Sequence, residues 1–322
     1  MHSAPGGQPT STDAAATMIP RSLRAELIAA VTAAADAARP LVGCGDSDAV
    51  DAAAVDALRA ALATVAADGR IVAGEGEKDD APMLHPGERF GTGSGPAVDV
   101  AVDPVDGTRL AAAGLPGSMA ILAAAPRGAF LDLGPAHYLD KLVHAGAGAG
   151  LDLTLPVEEN LALLAAARGC RVTDLRVAVQ SRPRNAATAA AVEQAGARVH
   201  AFEHGDIERV VHAVASTGSL DLLLGIGGAP EGVIEAAIVR AHDGFMQARA
   251  APQSAGEAER VRRAGLDADR VRTLDELCSS PAFVAIAAVT ACALGPVPTA
   301  LVQVAAGHGD AATETNATLP ER

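Results

Sequence analysis

The hexapeptide Asp103-Pro104-Val105-Asp106-Gly107-Thr108 sets two carboxylates three residues apart and a hydroxyl two residues beyond the second. Hard divalent cations take such oxygens: Mg²⁺ prefers octahedral coordination at about 2.1 Å and commonly bridges one or two carboxylates to a substrate phosphate. The pattern suits metal-dependent phosphate chemistry, with Thr108 orienting an attacking water. The same residues would equally serve as a strand end, a proline turn and a threonine N-cap with solvated acids. A second acidic segment, Gly74 to Pro82 (GEGEKDDAP), follows the short apolar run RIVAG and supplies Glu75, Glu77, Asp79 and Asp80. Four acids so close repel one another unless they spread into solvent or are neutralised by cations. A solvated acidic turn is the alternative there. Two acidic strand ends in one chain favour a shared metal site.

The elements that must position these groups are legible in the same way. In VDVAVD, alternation places Val98, Val100 and Val102 on one face and Asp99, Ala101 and Asp103 on the other. Asp103 is expected where the strand runs out, because Pro104 cannot continue a central strand, and Gly107 permits a tight reversal. Helices are expected at about Ser22 to Ala38 and Ala49 to Ala67, from alanine-rich segments with leucines at helical spacing. From about Leu151 helix and strand alternate: Val157 to Arg168, LRVAVQ from Leu175, Asn185 to Gly196, ARVHAF, Ile207 to Ala215, LDLLLG. That pattern predicts βα units on a largely parallel sheet, with ligands beyond the carboxyl ends of its strands. LDLLLG leads into glycines, then Pro230 in a first helical turn, then Glu231. Gly227 and Gly228 would let backbone amides approach a phosphate or bound water, and Glu231 would point into the same cleft or merely complement the helix dipole. Gly91 to Gly95 (GTGSG) is expected to form a flexible hairpin loop, not a dinucleotide fingerprint.

Four segments together carry a family resemblance: GEGEKDDAPML, DVAVDPVDGTRL, YLDKL at Tyr138 to Leu142, and GIGGAPEGV at Gly225 to Val233. In order and spacing they resemble the signatures of the class II fructose-1,6-bisphosphatases, the bacterial type, from about Leu23 to about Leu277. That family sits in a superfamily with the inositol monophosphatases. The resemblance implies an α/β fold, layered αβαβα in two packed halves, and hydrolysis of fructose 1,6-bisphosphate to fructose 6-phosphate in gluconeogenesis and glycerol metabolism. It further implies Mg²⁺ or Mn²⁺, a cytoplasmic location and a homodimer or homotetramer.

Carried over by position, Asp51, Glu75, Asp103 and Glu231 resemble the family's metal ligands, with Asp106 a further metal contact. Asp106, Gly107, Thr108, Tyr138, Arg182, Pro183, Arg184, Asp206 and Gly228 fall on substrate-contacting positions, with Thr108 also a catalytic, water-orienting one; Glu77 and Asp79, from the acidic cluster, are the catalytic base candidates. Without the resemblance, Asp51 reads as a first-turn helix acid, Tyr138 as an interfacial core residue and Asp206 as a helix cap. Ser47 stands where the family usually has a lysine near the phosphate, and His204 where an acid is expected. Beyond Leu277 the chain departs from the family's polar segment. These departures leave open an inositol- or other sugar-phosphate phosphatase, or a weakened homologue that only binds sugar phosphate.

Composition bounds the rest. The net charge of −14 argues against nucleic-acid or anionic-membrane partners, so any sugar bisphosphate must be met by local cations. Aromatics are 2% and Trp is absent, which leaves Ala, Val, Leu and Ile to pack the core. Cys44, Cys170, Cys278 and Cys292 form no CxxC pair and are expected as reduced thiols. Residues 1–20 are expected to be a disordered segment, neither signal peptide nor spanning helix. Residues 21–150 are expected to form the metal-binding half, 151–307 an α/β substrate-binding half and 308–322 a flexible tail. The uncharged run Pro281 to Gly307 is long enough to span a membrane, but Gly295, Pro296 and Pro298 break it, and two buried strands are expected.

Overall fold

A computed structural model describes residues 19–74, 84–215, 219–294 and 301–304. The tail at 308–322, nearly all of the N-terminal segment, and Glu75, Glu77 and Asp79 lie outside the described residues.

Two helices open the fold. In α1 (Arg21–Ala38) Leu23, Leu27, Ala30, Val31, Ala34, Ala35 and Ala38 recur at helical spacing and are buried. In α2 (Ser47–Leu62) the Asp46 carboxylate caps the N-terminus by accepting from the Asp48 and Ala49 amides at 3.1 Å each. That helix ends five residues short of the expected Ala67, and the chain passes into β1 (Asp68–Ala73). Then come β2 (Arg89–Phe90), β3 (Ala97–Asp106), α3 (Thr108–Ala113), β4 (Met119–Pro126) and β5 (Tyr138–His144). The second half of the chain supplies α4 (Val157–Arg168), β6 (Arg176–Gln180), α5 (Ala186–Gln194), β7 (Arg198–Phe202), α6 (Asp206–Val214), β8 (Leu222–Gly228), α7 (Ala229–Ala241) and β9 (Phe245–Ala250). It closes with α8 (Ala255–Arg263), β10 (Arg272–Thr273), α9 (Leu274–Leu277), β11 (Phe283–Ala288) and β12 (Leu301–Val304).

The strands form two six-stranded sheets, ordered β12-β11-β4-β3-β1-β2 and β10-β9-β5-β8-β6-β7. Three apolar clusters fill the gaps between layers. One packs α1 and α2 on the first sheet, through Leu27 and Leu58 against Val100 and Leu122. A second lies between the sheets, where Val210 of α6 and Ile234 and Ile238 of α7 meet Ile121 and Ile286 on one side and Leu139 and Met246 on the other. The third packs Leu161 and Leu164 of α4 under Val177 and Leu222. The result is the layered αβαβα arrangement.

Three expectations need correction. The strand does not stop at Asp103. It runs on through Pro104 to Asp106, because a bulge sets three steps on β3 (Asp103 to Asp106) against two on β4 (Ile121 to Met119), so the missing proline N–H costs no ladder bond. The second sheet is mixed: β6 lies parallel to β7 and β8, whereas β5 runs antiparallel to both β8 and β9. GTGSG is no hairpin, since it links β2 to β3 on opposite sides of β1. The Thr92 and Gly93 amides tie it to the Val65 and Ala67 carbonyls. Each sheet draws strands from both halves of the chain. Strand β5 joins the second sheet, and β11 and β12 return to the first. The uncharged run near the C-terminus therefore supplies two strands, with β11 buried throughout, and among the described residues no helix is long and apolar enough to cross a membrane.

Candidate active site

The bulge shapes the acidic end of the site. The Val105 amide donates to Asp103 Oδ1 at 3.0 Å, holding that carboxylate over the bulge. Gly107 follows with φ of 77°, the left-handed conformation that a side chain would oppose, and is itself the N-cap of α3. Thr108 is thus the first helical residue, not the cap, and its hydroxyl donates to the Val105 carbonyl at 2.9 Å. The Thr108 oxygen is left with its lone pairs as acceptors. Asp106 is buried and its Oδ2 has no hydrogen-bond partner. Burial, then repulsion from Asp206 and Glu231, holds its carboxyl well above the usual carboxylate range.

A cavity of about 620 Å³ brings these groups together with residues from elsewhere in the chain. Asp51 reaches it from the second turn of α2, so it is not a first-turn acid. Glu231 reaches it from the first turn of α7, and burial followed by repulsion from Asp206 raises its pKa. Gly228 explains how Glu231 fits: a Cβ there would lie 1.9 Å from Glu231 Oε2. Among the described residues no group of three or more His, Cys, Asp or Glu side chains is arranged to hold a metal ion. A second cavity of about 490 Å³ shares Asp103, Tyr138 and Glu231 and is also lined by Gly74.

The opposite wall is cationic. Arg182 caps and Arg184 lies within a 3₁₀ turn, Pro183–Asn185, just past the carboxyl end of β6, and both line the cavity; Pro183 starts the turn and does not. The Arg184 guanidinium stacks over the Tyr138 ring at 4.6 Å, donates to the Ile226 carbonyl at 2.9 Å and to Gln180 Oε1 at 2.7 Å. Arg182 donates to His204 Nδ1 at 3.0 Å, which fixes a neutral ring with its acceptor towards the guanidinium. Burial, with Arg182 and Arg109 adding to it, lowers the His204 pKa. Asp206 is the first residue of α6 behind Gly205, so it does not cap the helix.

Asp206 instead bridges outward and inward. Its Oδ1 accepts from Gln180 Nε2 at 3.0 Å, and its Oδ2 from Lys141 Nζ at 3.0 Å. Lys141, 1% exposed, also donates to Glu235 Oε1 at 2.5 Å. Burial depresses the lysine, but Glu235 and Asp206 more than offset it and hold the ammonium above its usual range. Glu235 is pushed up by burial, with Asp206 and Glu231 adding to the rise.

Sequence reasoning named Asp51, Asp103, Asp106, Gly107, Thr108, Tyr138, Arg182, Arg184, Asp206, Gly228 and Glu231, and all of them line this one cavity. It missed Gln180, Arg109, Lys141 and Glu235. Gln180 and Arg109 carried no signal. Lys141 did: it lies between Leu139 and Val143 on the core face of a strand, where an unpaired ammonium is not tolerated.

Carboxylates at the ends of β3 and α7 face a cationic wall across one cleft, inside an αβαβα frame, and these features define a layered α/β phosphatase. The chain belongs to the family described as bacterial fructose-1,6-bisphosphatase, glpX-encoded, whose profile matches residues 21–315. It is 44% identical over 248 residues to fructose-1,6-bisphosphatase 1 class 2 of Escherichia coli K12, covering 76% of this chain and 74% of that one. The same identity and coverage relate it to the class 2 fructose-1,6-bisphosphatase of Shigella flexneri. Among solved structures it matches an extragenic suppressor from Pyrococcus furiosus at 16% identity and a TM-score of 0.31, covering 62% of this chain and 72% of that one.

Proposed function

We propose that this protein hydrolyses fructose 1,6-bisphosphate to fructose 6-phosphate and inorganic phosphate with a divalent cation, Mg²⁺ or Mn²⁺. The observation that carries the reading is the single cleft in which Asp51, Asp103, Asp106 and Glu231 face Arg182, Arg184 and Tyr138. The donors fit a hard cation: all are carboxylate oxygens, and the buried Asp106 Oδ2 lacks any hydrogen bond. Asp51, Asp103, Asp106 and Glu231 would hold it, with Glu75 from the segment beyond Gly74. When bound, such cations, about two or three on the two-metal template, activate water and neutralise charge on the transferring phosphoryl group.

The chain's own groups divide the remaining work. Thr108 Oγ1, its proton committed to the Val105 carbonyl, accepts a hydrogen bond from the attacking water and sets its direction. Water oxygen bonds to phosphorus, the bond from phosphorus to the sugar oxygen breaks, and that oxygen takes a proton. Arg182 and Arg184 hold the other phosphate as planar forks, and Asp206 meets the sugar hydroxyls. Glu77 and Asp79 are the candidate bases.

The test is phosphate release from fructose 1,6-bisphosphate, sedoheptulose 1,7-bisphosphate and inositol phosphates with Mg²⁺ and with Mn²⁺. Fructose 1,6-bisphosphate should lead, and Asp103→Ala and Thr108→Ala should each abolish release. Preference for an inositol phosphate would overturn the substrate, and unchanged release in both variants would overturn the site. Ser47 on the cavity wall supports a second reading, a homologue that binds sugar phosphate without turning it over. Binding by every substrate with no release would favour it.

A further inference from the structure

A buried lysine sits under the cleft without touching it. Lys141 is absent from the cavity wall, yet it is joined to that wall by an unbroken run of hydrogen bonds. Its ammonium donates to Asp206 Oδ2 at 3.0 Å and to Glu235 Oε1 at 2.5 Å. Asp206 Oδ1 accepts from Gln180 Nε2 at 3.0 Å, and Gln180 Oε1 accepts from Arg184 Nη2 at 2.7 Å. Arg184 then lies over Tyr138.

We propose that Lys141 is a positioning residue for the phosphate-facing wall: it anchors Asp206, and through Gln180 it fixes the Arg184 guanidinium on Tyr138. The polarity of the chain supports this. An ammonium only donates, so its partner must accept; Asp206 then requires a donor, which turns the Gln180 amide nitrogen towards it and leaves the amide oxygen for Arg184. A flipped Gln180 would face oxygen against carboxylate and nitrogen against guanidinium. Asp206, held by the lysine, and Arg184 thereby fix the same orientation of the amide from its two ends. Stability alone is a weak reason to keep such a pair, since buried ion pairs are often replaced by apolar side chains at no loss. The fold also makes room for it: a Cβ on Gly227 would lie 2.3 Å from Asp206 Oδ2 and 2.6 Å from Lys141 Nζ. A glycine at 227 thus leaves room for the lysine pair.

The inference rests on the proposed phosphatase reading, and the experiment separates the two. In the full chain, Lys141→Met with Glu235→Met removes the pair together. KM for fructose 1,6-bisphosphate should rise about tenfold, the low end of what losing a hydrogen bond to a charged group costs, while kcat falls less than about threefold. Combined with Arg184→Ala, the paired change should add little, because both act on the same guanidinium. Fold-changes that multiply would overturn the proposal, as would an unchanged KM. If the paired variant fails to fold, Gln180→Met cuts the chain one link higher with the ion pair intact, and the same coupling to Arg184→Ala is expected; multiplicative effects again overturn it. If the parent enzyme releases no phosphate from any sugar bisphosphate, the phosphatase reading fails. Lys141 is then judged by calorimetric binding of inorganic phosphate, where the same non-additivity supports positioning and its absence refutes it.

Discussion

Gly227→Ala isolates the crowding beneath the cleft. The backbone at Gly227 is not in the left-handed region, so alanine meets no conformational penalty; the obstacle is space alone. The added methyl would stand 2.3 Å from Asp206 Oδ2, 2.6 Å from Lys141 Nζ and 3.0 Å from Lys141 Cε. Relief to ordinary van der Waals contact needs a shift of about 1 Å, enough to stretch the 3.0 Å bond between Lys141 and Asp206 past hydrogen-bonding range. Overpacking costs about 1–3 kcal/mol and breaking a buried ion pair about 3–5 kcal/mol, so a loss of about 3 kcal/mol is expected. At about 2–4 °C per kcal/mol for a domain of this size, the melting temperature should fall by about 6–12 °C. Gly256→Ala in α8 is the control: the one atom near the added methyl is Nη1 of the flexible Arg260 one turn along the same helix, 3.7 Å away, and the substitution should add about 0.4–1 kcal/mol through the unfolded chain. Thermal unfolding of both variants against the parent decides. If Gly227→Ala melts with the parent while substrate affinity drops, Gly227 serves ligand approach and the packing argument is wrong.

Three further outcomes follow from the geometry. Gly228→Ala should drive its Cβ into the Glu231 carboxylate, 1.9 Å away, and so reduce the rise in melting temperature that Mn²⁺ gives the parent by mass action; an equal rise refutes this role for the glycine. His204, whose pKa is lowered by burial with Arg182 and Arg109 and opposed by Glu203 and Asp206, is neutral at pH 7.5 and accepts from Arg182. Its unfolded value near 6.5 is the higher one, so its contribution to stability is present above about pH 6.5 and is lost as pH falls towards the folded value. KM should climb on that acid side as the protonated ring releases Arg182, and His204→Asn should flatten the limb; superimposable profiles would sink the assignment. Thiol labelling at pH 8 should modify exposed Cys44 at once, while Cys292, pushed up to about 12 by burial and then Glu208, and buried Cys278 react only on unfolding; rapid labelling of either would contradict their placement.

The acidic strand end was legible because it is local: Asp103 to Thr108 carries two carboxylates, a turn and a hydroxyl in six residues. The alternation of Val98, Val100 and Val102 likewise gave the face that meets α1 and α2. What escaped was set by distant partners. Pro104 reads as a stop until the pairing with β4 shows it to sit in a bulge of β3 itself. The antiparallel seat of β5 depends on β8 and β9, strands that follow it by scores of residues. Gln180 looks like an ordinary polar strand end; only Asp206 on one side and Arg184 on the other reveal its task. Lys141 was the missed opportunity. A lysine on the core face of a strand and an acid in the apolar helix GVIEAAIV each require a buried partner, and they are each other's.

The return of β11 to the first sheet has a consequence for how the chain is made. This strand fills the place beside β4, and Arg39, at the end of α1, donates to its Ala288 carbonyl. The first sheet therefore stays incomplete until Phe283–Ala288 have left the ribosome. Until then β4, with the sequence MAILAAAP, presents an open apolar edge, the kind of surface that recruits chaperones or other nascent chains. Such long sequence separation also slows folding. The second sheet, whose strands are all complete by Thr273, is free to close first, so synthesis would assemble this enzyme from its cationic wall towards its acidic one.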